Sequence, residues 1–293
     1  MQFCKANSTN LYIVNDYNDS EKYAIVIPFT EDQEHLIFKN LKVNWLSNKP
    51  CNYLENGHEI NFPSKNKFDI IFYYNKDLKK KSNLMFNLKL IFKHNSHLKN
   101  CFNKIKFFDS NLSIEEDRYP LGASRMFFKL YNEKSNDFVK NGYSKFFLME
   151  PDNIPCRKNW LEKLLSEFRT NQFWMRGSII RNSNSLNGLS SFADHINGNS
   201  FYNIGDERFV KLVNRLEELF WLDSNLYLDS YDIALFMLRK ERELFSFNEF
   251  AETVHMFQYT NTIQNWYRTH INATELCLKE KDTFFVHGRN VVI

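Results

Sequence analysis

Strand-like and helix-like segments alternate through the first half of the chain, and this alternation restricts the fold more than any other feature of the sequence. Apolar, strand-forming runs occur at residues 23–29, 68–74, 104–108 and 143–149. Segments with apolar residues at helical spacing lie between them, at residues 30–46, 79–92 and 118–140. Such alternation predicts strands that pair in parallel through right-handed crossovers, with helices on both faces. We therefore expect an α/β fold with a mainly parallel mixed sheet of Rossmann-like type.

The second half of the chain continues the mixed pattern without a break in composition. Helices are predicted at 160–168, 207–221 and 231–242, and strands at 173–180 and 283–288. We interpret residues 1–20 as a polar leader and 21–293 as a single domain.

Composition and charge exclude several classes of protein. A hydrophobic fraction of 43% is too high for disorder, and no run of about 18 apolar residues predicts a membrane span. The first twenty residues lack the apolar core of a signal peptide, so a cytoplasmic protein is expected. A formal net charge of +3 does not indicate nucleic-acid binding, and we interpret the basic run Lys76–Lys81 as a solvated helix face.

The chain has five cysteines, scattered along its length and without a CxxC pair. An odd number without paired spacing is typical of a reducing compartment. We therefore expect these side chains to be ordinary packing thiols.

Two carboxylates follow directly on the apolar strand at 143–149. Glu150 and Asp152 are separated by Pro151, which stiffens the link between them. Carboxylate oxygens are hard donors that suit Mg²⁺ or Mn²⁺, and ligands of α/β sheets bind at the carboxyl ends of the strands. The spacing alone fits two interpretations equally well: a metal site, or a solvated turn in which Asp152 caps the following helix.

Seven short blocks stand in a characteristic order along the chain. They are Tyr119–Arg125, Leu148–Pro155 with Arg157 and Trp160–Leu161, Arg176–Ser178, His195–Tyr202, Tyr231–Ala234, Thr262–Trp266 and Val286–Gly288. In this order they resemble nucleotide-sugar-dependent glycosyltransferases of the GT-A fold, most closely a group of algal-type and large-DNA-virus-type enzymes whose acidic motif reads EPD. The resemblance covers nearly the whole chain from Tyr23 onward. It implies a nucleotide-binding part at about residues 21–152 and an acceptor-side part at about residues 153–293 of the single domain. It implies metal-dependent transfer of a sugar from a UDP- or GDP-sugar to a glycan or other hydroxyl acceptor.

The resemblance also implies roles at the metal site, with Mn²⁺ or Mg²⁺ as the cofactor. Asp152 corresponds to the direct metal ligand, and Glu150 to the acidic residue near the ribose and the water shell of the metal. His287 corresponds to a C-terminal histidine that completes metal or diphosphate coordination. The alternative for His287 is a surface imidazole at the end of a strand.

Four residues are candidates for binding the nucleotide. Pro28 and Thr30 resemble the loop that contacts the nucleoside in this fold. Arg125 lies where the fold supplies nucleotide-binding groups, and its alternative is a helix-surface arginine with an acidic neighbour. Tyr74 is a candidate for stacking on the base, or else for packing at the edge of the core.

Five residues are candidates for acceptor binding and catalysis. His195, Asn197 and Asn199 suit sugar hydroxyls, or else form only a turn between two strands. An inverting enzyme needs a carboxylate base, for which Asp232 is the first candidate and Asp194 the second. The alternative for Asp232 is a first-turn charge that pairs with the helix dipole. The sequence does not decide between an inverting and a retaining outcome.

Two other functions fit the same architecture. A sugar-1-phosphate nucleotidyltransferase shares the fold and the metal, but the segment after the first predicted strand, Thr30–Gln33, is acidic where that class has a glycine-rich phosphate loop. A non-catalytic sugar-binding or scaffold protein is the other alternative.

Overall fold

The computed structural model of the chain describes residues 21–52, 68–132, 137–170, 172–181, 195–222, 230–240 and 254–293. The strands are β1 (Lys22–Phe29), β2 (Phe68–Tyr74), β3 (Ile105–Asp109), β4 (Tyr143–Leu148), β5 (Asn153–Pro155), β6 (Met175–Gly177), β7 (Ile180–Arg181), β8 (Phe201–Asn203), β9 (Phe257–Tyr259), β10 (Ile263–Trp266), β11 (Ile271–Asn272), β12 (Phe285–His287) and β13 (Val291–Val292). The α-helices are α1 (Glu34–Lys39), α2 (Trp45–Ser47), α3 (Ser82–His94), α4 (Ser96–Cys101), α5 (Leu121–Tyr131), α6 (Asp137–Lys140), α7 (Trp160–Arg169), α8 (Glu207–Leu222), α9 (Tyr231–Lys240) and α10 (Ala273–Lys279). In these ranges, no helix is both long and apolar enough to cross a bilayer.

The largest sheet has seven strands in the order β3-β2-β1-β4-β8-β6-β9. The pairs β3–β2, β2–β1, β1–β4 and β6–β9 are parallel, whereas β8 runs antiparallel to both of its neighbours. The expected mainly parallel mixed sheet is therefore confirmed. Its first four strands are those predicted from the apolar runs. Most residues of β1, β2 and β4 are buried, whereas β3, at the edge of the sheet, is half-buried.

Strand β1 shows how both faces of this sheet are covered. Tyr23 and Ile25 pack on one face in a cluster with side chains of α1, α3 and α7. Ala24 and Val26 pack on the other face with side chains of α5, α8 and α9. A strand buried on both sides reads as a continuous apolar run, and burying each large side chain stabilises the fold by about 1.5–3 kcal/mol.

Three predicted elements differ from the structure. The helix expected at 30–46 contains a π-helical segment, Asn40–Asn44, between α1 and α2. The helix expected at 118–140 begins at Leu121, after a cis Tyr119–Pro120 bond, and its described part consists of α5 and α6. The strand expected at 173–180 is divided between β6 and β7, which belong to different sheets. Hydrophobic periodicity does not report such breaks.

A second, four-stranded sheet in the order β5-β12-β10-β7 joins the C-terminal part of the chain to the large sheet. Strand β5 follows β4 after a four-residue turn and pairs antiparallel with β12, so that Asn153 lies opposite His287. This pairing brings the last part of the chain to the carboxyl end of β4.

The expectation of unpaired packing thiols is wrong for four of the cysteines. Cys51 is bonded to Cys101, and Cys156 is bonded to Cys277. The first pair ties the segment after α2 to the end of α4, and the second ties the end of β5 to α10. Sequence spacing conceals both pairs because the partners are 50 and 121 residues apart. Cys4 lies outside the described residues.

Candidate functional site

The two carboxylates of the acidic motif lie on a tight turn between β4 and β5. The backbone N–H of Asn153 donates to the carbonyl of Glu150 at 2.9 Å, which closes the turn. Pro151 occupies its second position, where the fixed φ angle of proline favours turn formation. The turn stands at the carboxyl end of the parallel strands, where the sequence placed it.

His287, at the end of β12, lies beside this turn. Its Nε2 atom is 2.9 Å from Oε2 of Glu150 and 3.2 Å from Oδ1 of Asp152. One donor atom from each of the three side chains lies within 4.8 Å of the others. The side chains of Glu150, Asp152 and His287 are 40%, 24% and 15% exposed, so the cluster opens to solvent on the Glu150 side. The expectation that these three residues converge agrees with this geometry.

A buried amide orients the imidazole of His287. Nδ1 of His287 is 3.0 Å from Oδ1 of Asn265. The amide nitrogen of Asn265 is already engaged with the carbonyl and hydroxyl oxygens of Ser178, at 3.1 and 2.9 Å. The oxygen of Asn265 therefore faces the ring and accepts the Nδ1 proton, so Nε2 is directed at the carboxylates.

The charges in this cluster shift the pKa values of two of its members. Burial by itself lowers the pKa of His287, but the negative charges and hydrogen bonds of Asp152 and Glu150 outweigh it and raise the pKa to about 10. Burial by itself raises the pKa of Asp152, but His287 outweighs it and the pKa is lowered. Without a bound cation, the imidazolium of His287 thus supplies at neutral pH the positive charge that the two carboxylates require, and a bound cation would take the place of its Nε2 proton.

The donor set fits a divalent cation. Two carboxylates and one imidazole nitrogen suit Mn²⁺ and Mg²⁺, which take few protein ligands and complete their shells with water or phosphate oxygens. The imidazole favours Mn²⁺ of the two, because Mg²⁺ prefers oxygen donors. The orientation of His287 by Asn265 is the arrangement found around metal-binding histidines, whose second ring nitrogen donates to a neighbouring oxygen.

Arg289 lies close to the cluster, two residues after His287, and its side chain is exposed. Its positive charge contributes to the lowering of the pKa of Asp152, after the larger opposing effect of burial and the effects of His287. Gly288 between them has φ +153°, and a Cβ atom there would lie 2.6 Å from the carbonyl oxygen of Trp266. Only glycine allows this close approach of the backbone to Trp266.

The candidate nucleotide-binding residues are not all gathered at the turn. Pro28 is half-buried in β1, and Thr30 forms a capping box with Gln33 at the start of the helix that follows. Tyr74 is 2% exposed and its ring packs 5.1 Å from that of Phe29, which agrees with the core-packing alternative.

Arg125 lies in α5 and makes contacts typical of a helix surface. Its guanidinium stacks 3.3 Å above the ring centre of Trp221. It also lies 3.6 Å from a carboxylate oxygen of Glu116 and 4.0 Å from one of Glu217. These are the acidic neighbours of the helix-surface alternative.

The acceptor-side candidates form a buried network. Nε2 of His195 is 3.4 Å from Oδ2 of Asp232, and both side chains are buried. The same Oδ2 accepts the backbone N–H of Gly198 at 2.9 Å, and Oδ1 accepts the N–H of Ile233 at 3.0 Å. Burial would raise the pKa of Asp232, but His195 and the other donors outweigh it and the pKa is lowered. These contacts favour a role for Asp232 in holding the backbone at Gly198.

The remaining candidates differ in accessibility. Asn197 is partly exposed, whereas Asn199 is completely buried. Asp194, the second candidate base, lies outside the described residues. The turn alternative for His195–Asn199 agrees with their hydrogen bonds, and sugar contact stays a prediction for Asn197.

Sequence reasoning missed four residues around the carboxylates. Ser178 and Asn265 lie inside two of the blocks that carry the family resemblance, and Arg289 follows a third, so these blocks were the available signal. Asn40, whose contacts with the turn are described below, has no such signal because asparagine is common throughout this chain.

No protein-family model matches the sequence, and no curated protein matches it. Among solved structures, the chain is similar to the apo form of mouse xyloside xylosyltransferase 1, with 11% identity and a TM-score of 0.49 over 92% of this chain and 98% of that one. It is also similar to the apo structure of the bifunctional glycosyltransferase WbbM, with 12% identity and a TM-score of 0.47 over 94% of this chain and 46% of that one. A third likeness is to the mannosyltransferase Ktr4p from S. cerevisiae, with 10% identity and a TM-score of 0.44 over 73% and 64%. The chain thus spans about half of WbbM, and at these scores the similarities carry no argument about its activity.

Proposed function

We propose that this protein is a metal-dependent glycosyltransferase that moves a sugar from a UDP- or GDP-sugar to a hydroxyl of a glycan acceptor. The observation that carries the proposal is the convergence of Glu150, Asp152 and His287 at the carboxyl end of the parallel strands. That edge is where α/β folds bind nucleotides, and the donor set suits a cation that also binds diphosphate oxygens. The ordered blocks of the sequence support the same function.

Each residue of the cluster has a distinct part in the proposal. Asp152 and the deprotonated Nε2 of His287 would hold Mn²⁺ or Mg²⁺ directly, and the more exposed Glu150 would be the peripheral ligand. When bound, the cation neutralises negative charge that develops on the departing nucleoside diphosphate. Arg289 donates hydrogen bonds to the same diphosphate, since a guanidinium matches phosphate oxygens and its charge already reaches Asp152.

The acceptor side of the proposal rests on fewer contacts. Asn197 is the accessible amide of the His195–Asn199 turn and is proposed to bind a sugar hydroxyl. Asp232 is the proposed catalytic base. Its carboxylate oxygens also accept backbone hydrogen bonds, and although burial would raise its pKa, His195 outweighs burial and lowers it, so the carboxylate has a positioning role as well. A base must reach the acceptor hydroxyl, so Asp232→Asn separates proton acceptance from the positioning role.

The cellular compartment is part of the proposal. A cytosolic location was expected from the sequence, but disulfides persist in oxidising compartments. The pairs Cys51–Cys101 and Cys156–Cys277 therefore favour an oxidising location.

The proposal is tested by thermal-shift measurements with a panel of UDP- and GDP-sugars, each with and without Mn²⁺. The correct donor should raise the melting temperature only when Mn²⁺ is present, because ligands that bind the folded state stabilise it. Asp152→Asn should abolish this shift and the transfer of sugar. Asp282→Asn, an exposed carboxylate before β12, is the matched control and should retain both.

The products of turnover distinguish the alternatives. Release of nucleoside diphosphate with a lengthened glycan supports a glycosyltransferase, whereas consumption of sugar-1-phosphate and nucleoside triphosphate would assign a nucleotidyltransferase. Metal-dependent binding without turnover of any acceptor would favour a sugar-binding protein.

A further inference from the structure

The turn that carries Glu150 and Asp152 is held by asparagine side chains on both of its sides. Asn40 contacts it from the π-helical segment after α1, and Asn199 contacts it from the segment before β8. Both asparagines are buried. Three of their side-chain hydrogen bonds go to backbone groups of the turn and none goes to the two carboxylates, so the asparagines do not occupy the oxygens that a cation would need.

Asn40 supplies the donors on one side. Its amide nitrogen donates to the carbonyl of Pro151 at 2.8 Å and to the carbonyl of Asn153 at 3.0 Å. Its amide oxygen accepts from the side chain of Asn44 at 2.6 Å, so the orientation of the amide is determined. Asn40 and Asn44 are the first and last residues of the π-helical segment, and short π-helical insertions in α-helices are frequently found at functional sites.

Asn199 supplies the acceptor on the other side. Its Oδ1 atom accepts the backbone N–H of Glu150 at 2.8 Å and the side-chain N–H of Asn153 at 3.2 Å. Its amide nitrogen donates to Oδ1 of Asn197 at 3.3 Å, which directs Oδ1 of Asn199 toward the turn. The bond from Gly198 to the carboxylate of Asp232 anchors the same segment to α9.

We infer that Asn40 and Asn199 are positioning residues, which hold the turn so that the carboxylates of Glu150 and Asp152 and Nε2 of His287 converge on one cation. The inference rests on the proposed function, since it concerns the cation site named there. It gives Asn199 a different role from the sugar contact expected from the sequence, because a fully buried side chain does not reach a sugar. Asn40 gains a role that the sequence did not indicate.

The two asparagines act on the cation site by preorganising it. Two carboxylates held near each other repel, and a free turn would relax by moving them apart. Hydrogen bonds to Pro151, Asn153 and the N–H of Glu150 oppose this relaxation from both sides of the turn. Loss of such outer partners in metal proteins typically lowers metal affinity by about 10–100-fold.

The test is a Mn²⁺ titration of the full chain, followed by the electron paramagnetic resonance signal of free Mn²⁺ at a temperature well below the melting point of every variant. Asn40→Leu and Asn199→Leu remove the amides at similar volume. Asn203→Leu is the matched control, because Asn203 lies at the other end of β8 and its amide also bonds to backbone, donating to the carbonyl of Phe173 at 3.0 Å. We expect the Kd for Mn²⁺ to rise about 10–100-fold in the first two variants and to stay within about twofold of wild type in the control.

Hydrogen exchange of the metal-free protein gives a second readout. The backbone N–H groups of Glu150 and Asn153 should exchange at least about tenfold faster in the two test variants, because the turn opens more often. Their exchange rates should not change in the control. If a leucine variant does not fold, Asn40→Ser and Asn199→Ser remove the same bonds with less steric change.

The outcomes separate the two proposals. Wild-type protein that binds Mn²⁺, together with test variants that bind it as tightly as the Asn203→Leu control, overturns the positioning role alone. Wild-type protein that binds no Mn²⁺ overturns the cation site of the proposed function, and with it the role of both asparagines toward the cation.

Discussion

Gly198→Ala is the substitution whose effect follows most directly from the packing around the acceptor-side network. A Cβ atom at position 198 would lie 2.3 Å from the hydroxyl oxygen of Tyr231 and 3.1 Å from Cζ of the same ring. The optimal separation of non-bonded carbon atoms is about 3.5–4.0 Å, so one of the two groups must move by about 1 Å. Tyr231 is buried and its ring stacks 3.9 Å from that of Phe127, so the ring has little room to move.

The backbone at Gly198 must therefore give way. That shift disturbs the bond from its N–H to Asp232 and the position of Asn199 against the turn. Overpacking of this kind costs about 1–3 kcal/mol of unfolding free energy. Each kcal/mol corresponds to a fall of about 2–4 °C in melting temperature for a domain approaching this size.

The assay is a double-mutant cycle followed by thermal and denaturant unfolding. Tyr231→Phe removes the atom nearest to the new methyl group, so Gly198→Ala should cost less in the Tyr231→Phe background, by about 0.5–2 kcal/mol. Gly142→Ala is the control: Gly142 has φ +71° and no atom within 4 Å of its Cβ position. Its cost comes from backbone strain of about 1–2 kcal/mol, and Tyr231→Phe should not reduce it.

Two results would refute this reasoning. One is a Gly198→Ala protein that is as stable as the wild type. The other is a cost of Gly198→Ala that is equal in the wild-type and Tyr231→Phe backgrounds, since that would mean that the hydroxyl is not the obstacle.

Two further predictions concern the charges and the covalent links of the fold. In metal-free protein, burial lowers the pKa of His287, but Asp152 and Glu150 outweigh burial and raise this pKa to about 10. The charged imidazole therefore stabilises the fold fully below about pH 6.5, the ordinary pKa of histidine, and this stabilisation is lost as the pH rises through about 10. In EDTA, the difference in unfolding free energy between wild type and His287→Gln should become smaller over that pH range, and a difference that grows would contradict the charge pairing. Replacing Cys51 and Cys101 by serine should lower the free energy of unfolding by about 2–4 kcal/mol, because the disulfide constrains the unfolded chain. In denaturant without reductant, one of the five cysteines of the wild type should react with a thiol reagent, and five reactive thiols would contradict both disulfides.

Local sequence patterns predicted the elements that are stabilised by continuous burial. The runs at residues 23–29, 68–74 and 143–149 became β1, β2 and β4 because a strand covered on both faces is apolar along its whole length. The same patterns missed the π-helical segment Asn40–Asn44, from which Asn40 contacts a turn that is distant in sequence.

The cysteines and the arginine of α5 show the limit of such patterns. The spacing of Cys156 and Cys277 says nothing about their bond, because the pairing depends on β5 lying beside the C-terminal strands. Likewise, sequence alone leaves two roles open for Arg125, and its stacking on Trp221 agrees with the helix-surface alternative.

The alternation of strands and helices, and the place of Glu150 and Asp152 at the end of a buried strand, can be predicted from the sequence because both follow from the order of apolar and polar residues over short distances. The groups that surround those carboxylates are set by contacts between distant parts of the chain. His287, Asn265, Asn40 and Asn199 reach them from four separate segments, brought together by strand pairing and by the π-helical segment. Such convergence depends on long-range packing, which no local pattern of residues encodes.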